Sequence, residues 1–383
     1  QSILCFIVFT CFMHITKASN LNEDTLLQGL QLTTTHRLIS SSNWYTLSFF
    51  QFNGSQDFYL GIRLSSSDNS SSSYFWIANR DMPIRDPSGF LTIDEYGNMK
   101  IVSNGGNSTV ILYSSQAKSN NNSTISAFLR DDGNFLLREM NQNGSVNRIL
   151  WESFGYPTDV IIPGMELGFD RKTGLKKSIT SWRSHKSPMS GSFSLGLDHK
   201  TKEMVLWWRG KIVWSSGQWS NGSFANLKSS PFDKDFVFEY HSDENETYVK
   251  YVPLGYMYIG SSGSIYGSLS GNFYSCINNY FLQGCSMPSL PKCRDDDHSL
   301  YSSNWSSYGM MSTKGYKFNE SEKLSNFDCW MKCLNNCTCE AYSYTNIEDE
   351  TGCEIWSKDS ANFMATNYLK AGGRNIYFLR RKK

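Results

Sequence analysis

The sequence lacks a net charge: its 36 lysines and arginines offset 35 acidic residues, leaving +1 with histidine neutral. A surface without a dominant sign offers no electrostatic footprint for a phosphate backbone, which excludes nucleic acid as a partner. Cysteine is missing from residue 12 to residue 275, and no Cys-x2-Cys pair occurs anywhere. None of the six histidines lies between Cys329 and Cys353, so neither a zinc site nor any other metal or cofactor is expected. The glycine-rich phosphate loop and the His-Arg-Asp and Asp-Phe-Gly triplets of phosphoryl-transfer enzymes are absent. No carboxylate pair or nucleophile–histidine set stands out, and the chain is expected not to be an enzyme. After Met13 no apolar stretch is long enough to span a bilayer.

What is present is serine, asparagine, glycine and aromatic side chains. With 15% aromatics and only 19% charged residues, the composition favours strands and polar turns over long helices. At 383 residues, several domains are expected. Short apolar runs bounded by turn residues recur through the first part of the chain. They include Trp44–Phe52, Tyr59–Leu64, Tyr74–Ala78, Phe90–Ile93, Met99–Val102, Ala127–Arg130 and Phe135–Arg138. Glu95-Tyr-Gly-Asn98 and Asp131-Asp-Gly-Asn134 form a weak internal repeat of turns. The β pattern continues beyond Trp151, in Ser192–Leu197, Met204–Trp208, Lys211–Trp214 and Phe236–Tyr240. From Cys276 to Tyr308 periodicity fades, and Asp295-Asp-Asp297 reads as a solvated acidic loop. One helix is expected, where Ser325 precedes Asp328 by three residues as in a capping box. Four-residue spacing then sets Cys329 and Cys333 on one face of it.

The first twenty residues differ from the rest. Ile3–Met13 is apolar but short for a membrane span, and small residues follow at Thr16-Lys-Ala18. This pattern predicts a secretory signal peptide over 1–18, which takes Cys5 and Cys11 with it. The remaining eight cysteines, Cys276, Cys285, Cys293, Cys329, Cys333, Cys337, Cys339 and Cys353, are even in number and predict disulfides in an oxidising compartment. Asn-x-Ser/Thr sequons point the same way, at Asn53, Asn69, Asn107, Asn121, Asn122, Asn143, Asn221, Asn245, Asn304 and Asn319. An eleventh, at Asn336, encloses Cys337 and is set apart for that reason.

Several ordered motifs carry a resemblance. They are Trp76-Ile-Ala-Asn-Arg-Asp-Met-Pro-Ile84, Trp151-Glu-Ser-Phe-Gly-Tyr-Pro-Thr-Asp159, Pro163-Gly-Met-Glu-Leu-Gly168, Thr180-Ser-Trp-Arg183 and Trp214-Ser-Ser-Gly-Gln-Trp219. A Cys-x3-Cys-x3-Cys-x-Cys run then leads to Gly-Cys-Glu-Ile-Trp356. Together they resemble the extracellular region of plant G-type lectin S-receptor-like serine/threonine kinases, the S-domain family. The resemblance implies a mainly β architecture in four parts: a mannose-lectin-like β-prism over 19–150 and a second lectin-like, S-locus glycoprotein domain over 151–272. A reduced, cysteine-rich EGF-like linker over 273–310 and an α+β PAN/apple domain over 311–380 complete it. It also implies pairing of Cys329 with Cys353 and Cys333 with Cys339, with Cys337 joined to an upstream cysteine and the other two upstream cysteines to each other.

Mannose-binding lectins of that fold use Gln-x-Asp-x-Asn-x-Val-x-Tyr, whose period of two would put five side chains on one strand face. Aligned on the second turn, the places fall to Arg130, Asp132, Asn134, Leu136 and Arg138. Any remaining carbohydrate site is expected at Arg130, Asp132 and Asn134. The resemblance implies recognition of a protein or peptide ligand, a glycan, or both, with homo- or heterodimers among S-domain receptors. The location it implies is the apoplast or cell wall, or the plasma membrane if the chain is a fragment of a receptor kinase. A soluble decoy, an accessory subunit and a structural wall glycoprotein are the alternatives. The aromatic segment from Tyr248 to Tyr266 is a candidate contact surface.

Overall fold

A computed structural model describes residues 23–52, 55–66, 74–103, 109–115, 123–227, 235–276, 283–294, 305–365 and 373–379. The architecture is mainly β: a mannose-lectin-like prism, a second lectin-like β unit, a cysteine-bearing connection and an α+β PAN-type unit.

Three four-stranded antiparallel sheets make the prism. Their strand orders are Thr25–Leu27, Thr124–Leu129, Phe135–Met140, Val146–Glu152; then Gln31–Thr33, Phe90–Ile93, Met99–Val102, Thr109–Tyr113; then Arg37–Ile39, Tyr45–Gln51, Phe58–Leu64, Tyr74–Ile77. Each sheet takes its first strand from one N-terminal thread. That thread carries Leu26, Leu32 and Leu38, the middle residues of three-residue strands and all fully buried. They meet Leu47, Leu60, Leu91, Met99, Phe135 and Leu137 in a core of their own. The period-two alternation that exposes one face and buries the other is plain in Met99–Val102, where Met99 and Ile101 point inward.

The second β unit pairs a large sheet with a small one. Seven antiparallel strands run in the order Lys211–Ser215, Met204–Trp208, Ser187–Leu197, Lys176–Ser184, Glu166–Asp170, Glu246–Tyr251, Phe238–Ser242. The small sheet orders Val160–Ile161, Met257–Ile259, Ile265–Gly267 and Asn272–Tyr274. Ile161, Leu167, Ile179, Leu195, Trp214, Val249 and Met257 fill the space between.

The last unit is a six-stranded antiparallel sheet of Tyr316–Lys317, Glu354–Ser357, Cys339–Ser343, Arg374–Phe378, Trp305–Met311 and Phe363–Ala365. The α-helix Asn326–Leu334 packs on it. Phe327 from this helix lies edge-on to Phe193 and Trp208, with ring centroids 4.8 and 5.5 Å away. A continuous apolar core therefore runs from the second β unit into the helix. Among the described residues no helix is long and apolar enough to cross a membrane.

Candidate functional site

The turn expected to hold sugar is a hairpin connection rather than a strand. Strand Thr124–Leu129 ends before it and Phe135–Met140 begins after it, and Arg130 and Asn134 close it by a backbone bond of 3.0 Å. Because the chain reverses here, Arg130, Asp132 and Asn134 do not share one strand face. Arg130 is exposed and forms an ion pair at 3.0 Å with the partly exposed Asp132, whose Oδ1 also accepts from the Asn134 N–H at 3.0 Å. Asn134 is only 4% exposed. Its Nδ2 donates to Glu152 at 2.9 Å, and its Oδ1 accepts from Ser153 Oγ at 3.1 Å and Phe154 N–H at 3.2 Å. Leu136 is buried, and the Arg138 guanidinium lies 4.2 Å from the Phe128 ring centre. Gly133 has φ +85°, and a Cβ there would sit 2.8 Å from the Tyr45 ring, so the turn admits glycine for two reasons.

Asn134 thus fastens the end of the prism. Asn134→Ala is expected to cost about 1–3 kcal/mol, since it strands buried partners. Asp132→Ala, which loses a partly exposed ion pair and one turn hydrogen bond, is expected to cost about 1 kcal/mol or less. Thermal unfolding of the two variants tests the contrast, and equal losses would refute it. The first turn is built likewise: Asp94 accepts from the Tyr96 and Asn98 N–H groups and from Lys100 Nζ, and Asn98 Oδ1 accepts from Ser115 N–H at 2.8 Å.

The aromatic motifs meet where the prism joins the second unit. Trp76 Nε1 donates to the Tyr156 carbonyl at 2.9 Å, and the Trp151 and Tyr156 rings stack at 5.6 Å. Arg80 is buried and donates to the carbonyls of Pro188, Thr180 and Ser181 at 2.7, 2.9 and 2.9 Å. Asp81 accepts from Ser190 N–H and Oγ at 2.7 and 2.6 Å. The motifs that carried the resemblance are therefore, in large part, the seam between two β units.

A second seam joins the helix to the β unit. Ser325 and Asp328 form a reciprocal capping box. Asp328, 2% exposed, also accepts from Trp208 Nε1 at 2.8 Å and from Arg209 Nε and Nη2 at 2.9 and 2.8 Å. Burial alone would raise its pKa. The hydrogen bonds from Arg209 and Ser325, with the guanidinium charge and the Trp208 N–H, outweigh burial and hold it below the ordinary value. A depressed carboxylate contributes stability in full above its unfolded pKa, about 3.9, and loses it as pH falls through the folded value. Asp328→Asn is expected to cost about 1.5–3 kcal/mol at pH 7 and progressively less below pH 4. Unfolding midpoints of both forms at pH 7 and pH 3 test this; a gap that is unchanged or wider at pH 3 would count against it.

The eight cysteines of the last third are joined in four disulfides, Cys276–Cys285, Cys293–Cys337, Cys329–Cys353 and Cys333–Cys339. Two of them tie successive turns of one helix face to the strands beneath. Among the sequons, Asn143, Asn221, Asn245, Asn319 and Asn336 are exposed. Asn53, Asn69, Asn107, Asn121, Asn122 and Asn304 lie outside the described residues, as do residues 1–18, expected to be a signal peptide, and Asp295–Asp297. Among the described residues one group of three could in principle hold a metal: His241, Asp243 and Glu246, at a hairpin end. Asp243 is already engaged there, accepting from the backbone N–H groups of Asn245 and Glu246, and its pKa is lowered to about 2, by the Glu246 bond above all.

Sequence reasoning left Asp159 and Trp182 without a role, although both stand in the quoted motifs. Asp159 is 6% exposed, and the Trp182 indole N–H and the Thr158 side chain lie beside its carboxylate and favour its charged form. Burial raises the Asp159 pKa, and the Arg80 charge opposes that rise. The available signal was an acidic residue directly preceding the apolar run Val160-Ile-Ile162.

Comparison with known proteins places these features. A family model described as D-mannose binding lectin matches residues 73–183, and one described as PAN-like domain matches residues 310–363. A G-type lectin S-receptor-like serine/threonine-protein kinase of Arabidopsis thaliana is 34% identical over 401 residues, covering 93% of this chain and 46% of the kinase. An S-locus-specific glycoprotein of Brassica oleracea var. alboglabra is 27% identical over 412 residues, covering 93% of this chain and 91% of the glycoprotein. The chain thus spans less than half the length of that kinase and most of that glycoprotein. Among solved structures, a monomeric monocot mannose-binding lectin from Gastrodia elata is similar over 34% of this chain and 96% of that one, at 15% identity and a TM-score of 0.23.

Proposed function

This chain belongs to the S-domain family, matching the extracellular region of its G-type lectin receptor-like kinases and its S-locus glycoproteins, and from that premise we infer that it is an extracellular ligand-binding protein. The observation that carries the reading is the match to S-locus glycoproteins over 91% of their length. Three features support it: a prism with glycan-lectin ancestry, surface sequons, and a disulfide-closed C-terminal unit suited to an oxidising compartment. The region contributes recognition, with a glycan or a peptide as ligand, and partners with S-domain receptors as a soluble or accessory subunit.

We read its division as a leader over 1–18, a prism over 19–150, a second lectin-like domain over 151–272, a reduced EGF-like connection over 273–310 and a PAN unit over 311–380. At the Asp131–Asn134 turn, the groups offered to a sugar are Arg130 and Asp132, because Asn134 is held inside.

The test is an immunoblot of apoplastic fluid and membranes with an antibody to the 329–356 region, followed by co-precipitation with S-domain receptors. A glycosylated soluble band that co-precipitates a receptor supports the reading. A soluble band without any receptor association favours a structural wall glycoprotein, and a membrane band about twice as large identifies a receptor kinase.

A further inference from the structure

We propose that the outer face of the small sheet in the second β unit is a docking platform for a short, uncharged, proline-rich peptide in the polyproline II conformation. The proposal rests on the ligand-binding reading above and gives one ligand a place and a chemistry.

From Tyr251 to Ser275 the chain holds no aspartate, glutamate, lysine, arginine or histidine, although the first four make up 19% of the whole. The same stretch carries no sequon. It builds three strands of the small sheet, Met257–Ile259, Ile265–Gly267 and Asn272–Tyr274. Alternation sends Met257, Ile259, Ile265 and Tyr274 into the core and leaves Tyr258, Tyr266 and Phe273 on the outer face. These three are cross-strand partners, with ring centres 5.0 Å apart from Tyr258 to Tyr266 and 4.8 Å from Tyr266 to Phe273. Tyr256 flanks the row 6.1 Å from Tyr266 and meets Phe75 of the prism edge-on at 5.7 Å. A cleft of about 410 Å³ runs alongside, with Tyr74 and Phe75 on its prism side. The three tyrosines are partly exposed, and Phe273 is half exposed.

Size and chemistry select the occupant. Four short strands about 4.8 Å apart make a platform of roughly 15 by 10 Å. A second copy of the chain would need about 800 Å² per partner, several times what this face offers, so the occupant is a short segment. A charged peptide would bury its charge there without a counter-ion. The hydroxyls of Tyr256, Tyr258 and Tyr266 have no hydrogen-bond partner among the described residues, which leaves three donors without acceptors. A proline-rich chain complements them: its rings are apolar, its carbonyls accept, and proline has no N–H to satisfy. A saccharide also stacks on such rings, but it brings several hydroxyl donors. To accept them the stretch holds one side-chain amide, Asn272, and no carboxylate. A polyproline II helix repeats every three residues, ~9 Å, about the length of the row from Tyr258 to Phe273. Because that helix is formed before binding, little ordering cost remains and a small platform suffices.

The test titrates decaproline into the full chain, read by calorimetry, beside a glycine–serine decapeptide and mannohexaose. Saturable binding is expected for decaproline alone. It should weaken about tenfold in Phe273→Ala and several-fold in Tyr258→Phe and in Tyr266→Phe. Ile111→Ala, an exposed position on a prism strand, should leave it unchanged. The two phenylalanine variants keep every ring in place, so a lost hydroxyl is read apart from lost folding. No saturable binding of decaproline, or binding that none of the three variants weakens, would overturn the proposal; receptor co-precipitation then decides the broader reading separately. Mannohexaose binding that is lost in Phe273→Ala, with none of decaproline, would give the face to a glycan, overturning the peptide while leaving the ligand-binding reading intact.

Discussion

Arg80→Ala is expected to destabilise the chain by roughly 3–5 kcal/mol and to uncouple the prism from the second β unit. The side chain reaches out of the prism and donates to three carbonyls of the neighbouring hairpin. Burying a guanidinium costs several kcal/mol in desolvation, and alanine recovers that cost. Against this stand three carbonyls without donors, each worth about 1–3 kcal/mol, a cavity, and an Asp159 carboxylate without its compensating charge. The second set wins because every lost partner lies on the far side of one seam. Arg80→Lys keeps the charge but places one compact ammonium where a planar fork served three acceptors, and is expected to fall between the two. Denaturant unfolding should show one transition for the wild type splitting into two for the alanine variant. A single transition at the wild-type midpoint would refute the claim.

The Cys329–Cys353 pair gives the second large effect. Replacing both cysteines by alanine is expected to cost about 2–5 kcal/mol and to unfold the C-terminal unit well before the rest. The bridge joins the helix Asn326–Leu334 to Cys353, the residue before strand Glu354–Ser357, across a sequence separation of 24 residues, whereas Cys333–Cys339 closes only 6. Because loop-closure entropy grows with the logarithm of loop length, losing the first bridge should cost more than losing the second. The helix also brings Phe327 and Asp328 to the β unit, so its release should weaken that seam. Melting curves of the two double-alanine variants give the order directly. Equal midpoints, or a reversed order, would show that local packing rather than loop closure sets the contribution.

Much of the fold was legible because it is local. The capping residues Ser325 and Asp328 lie three apart, and strands such as Met99–Val102 alternate in plain view. Family motifs stood in order, yet their meaning depended on distance: Arg80 finds its carbonyls about a hundred residues downstream. The expected sugar face at Arg130, Asp132 and Asn134 rested on strand periodicity, and a chain reversal removes that premise, turning Asn134 inward. Asp159 and Trp182 gave little warning, since a cleft walled by two units has no signature in either segment alone. The six-residue spacing of Leu26, Leu32 and Leu38 has no place in a helix period, and its reason is the one thread that three separate sheets share.

That thread makes the prism behave like a bag closed by a drawstring. Leu26 lies in register with Ala127, Leu32 with Leu91 and Leu38 with Leu47. The thread, which precedes the rest of the prism in the chain, must therefore wait for the most distant of its neighbours before the last sheet can close. A single proteolytic nick after Ile39 would bare three sheet borders at once, each a row of unpaired amides open to capture by another chain.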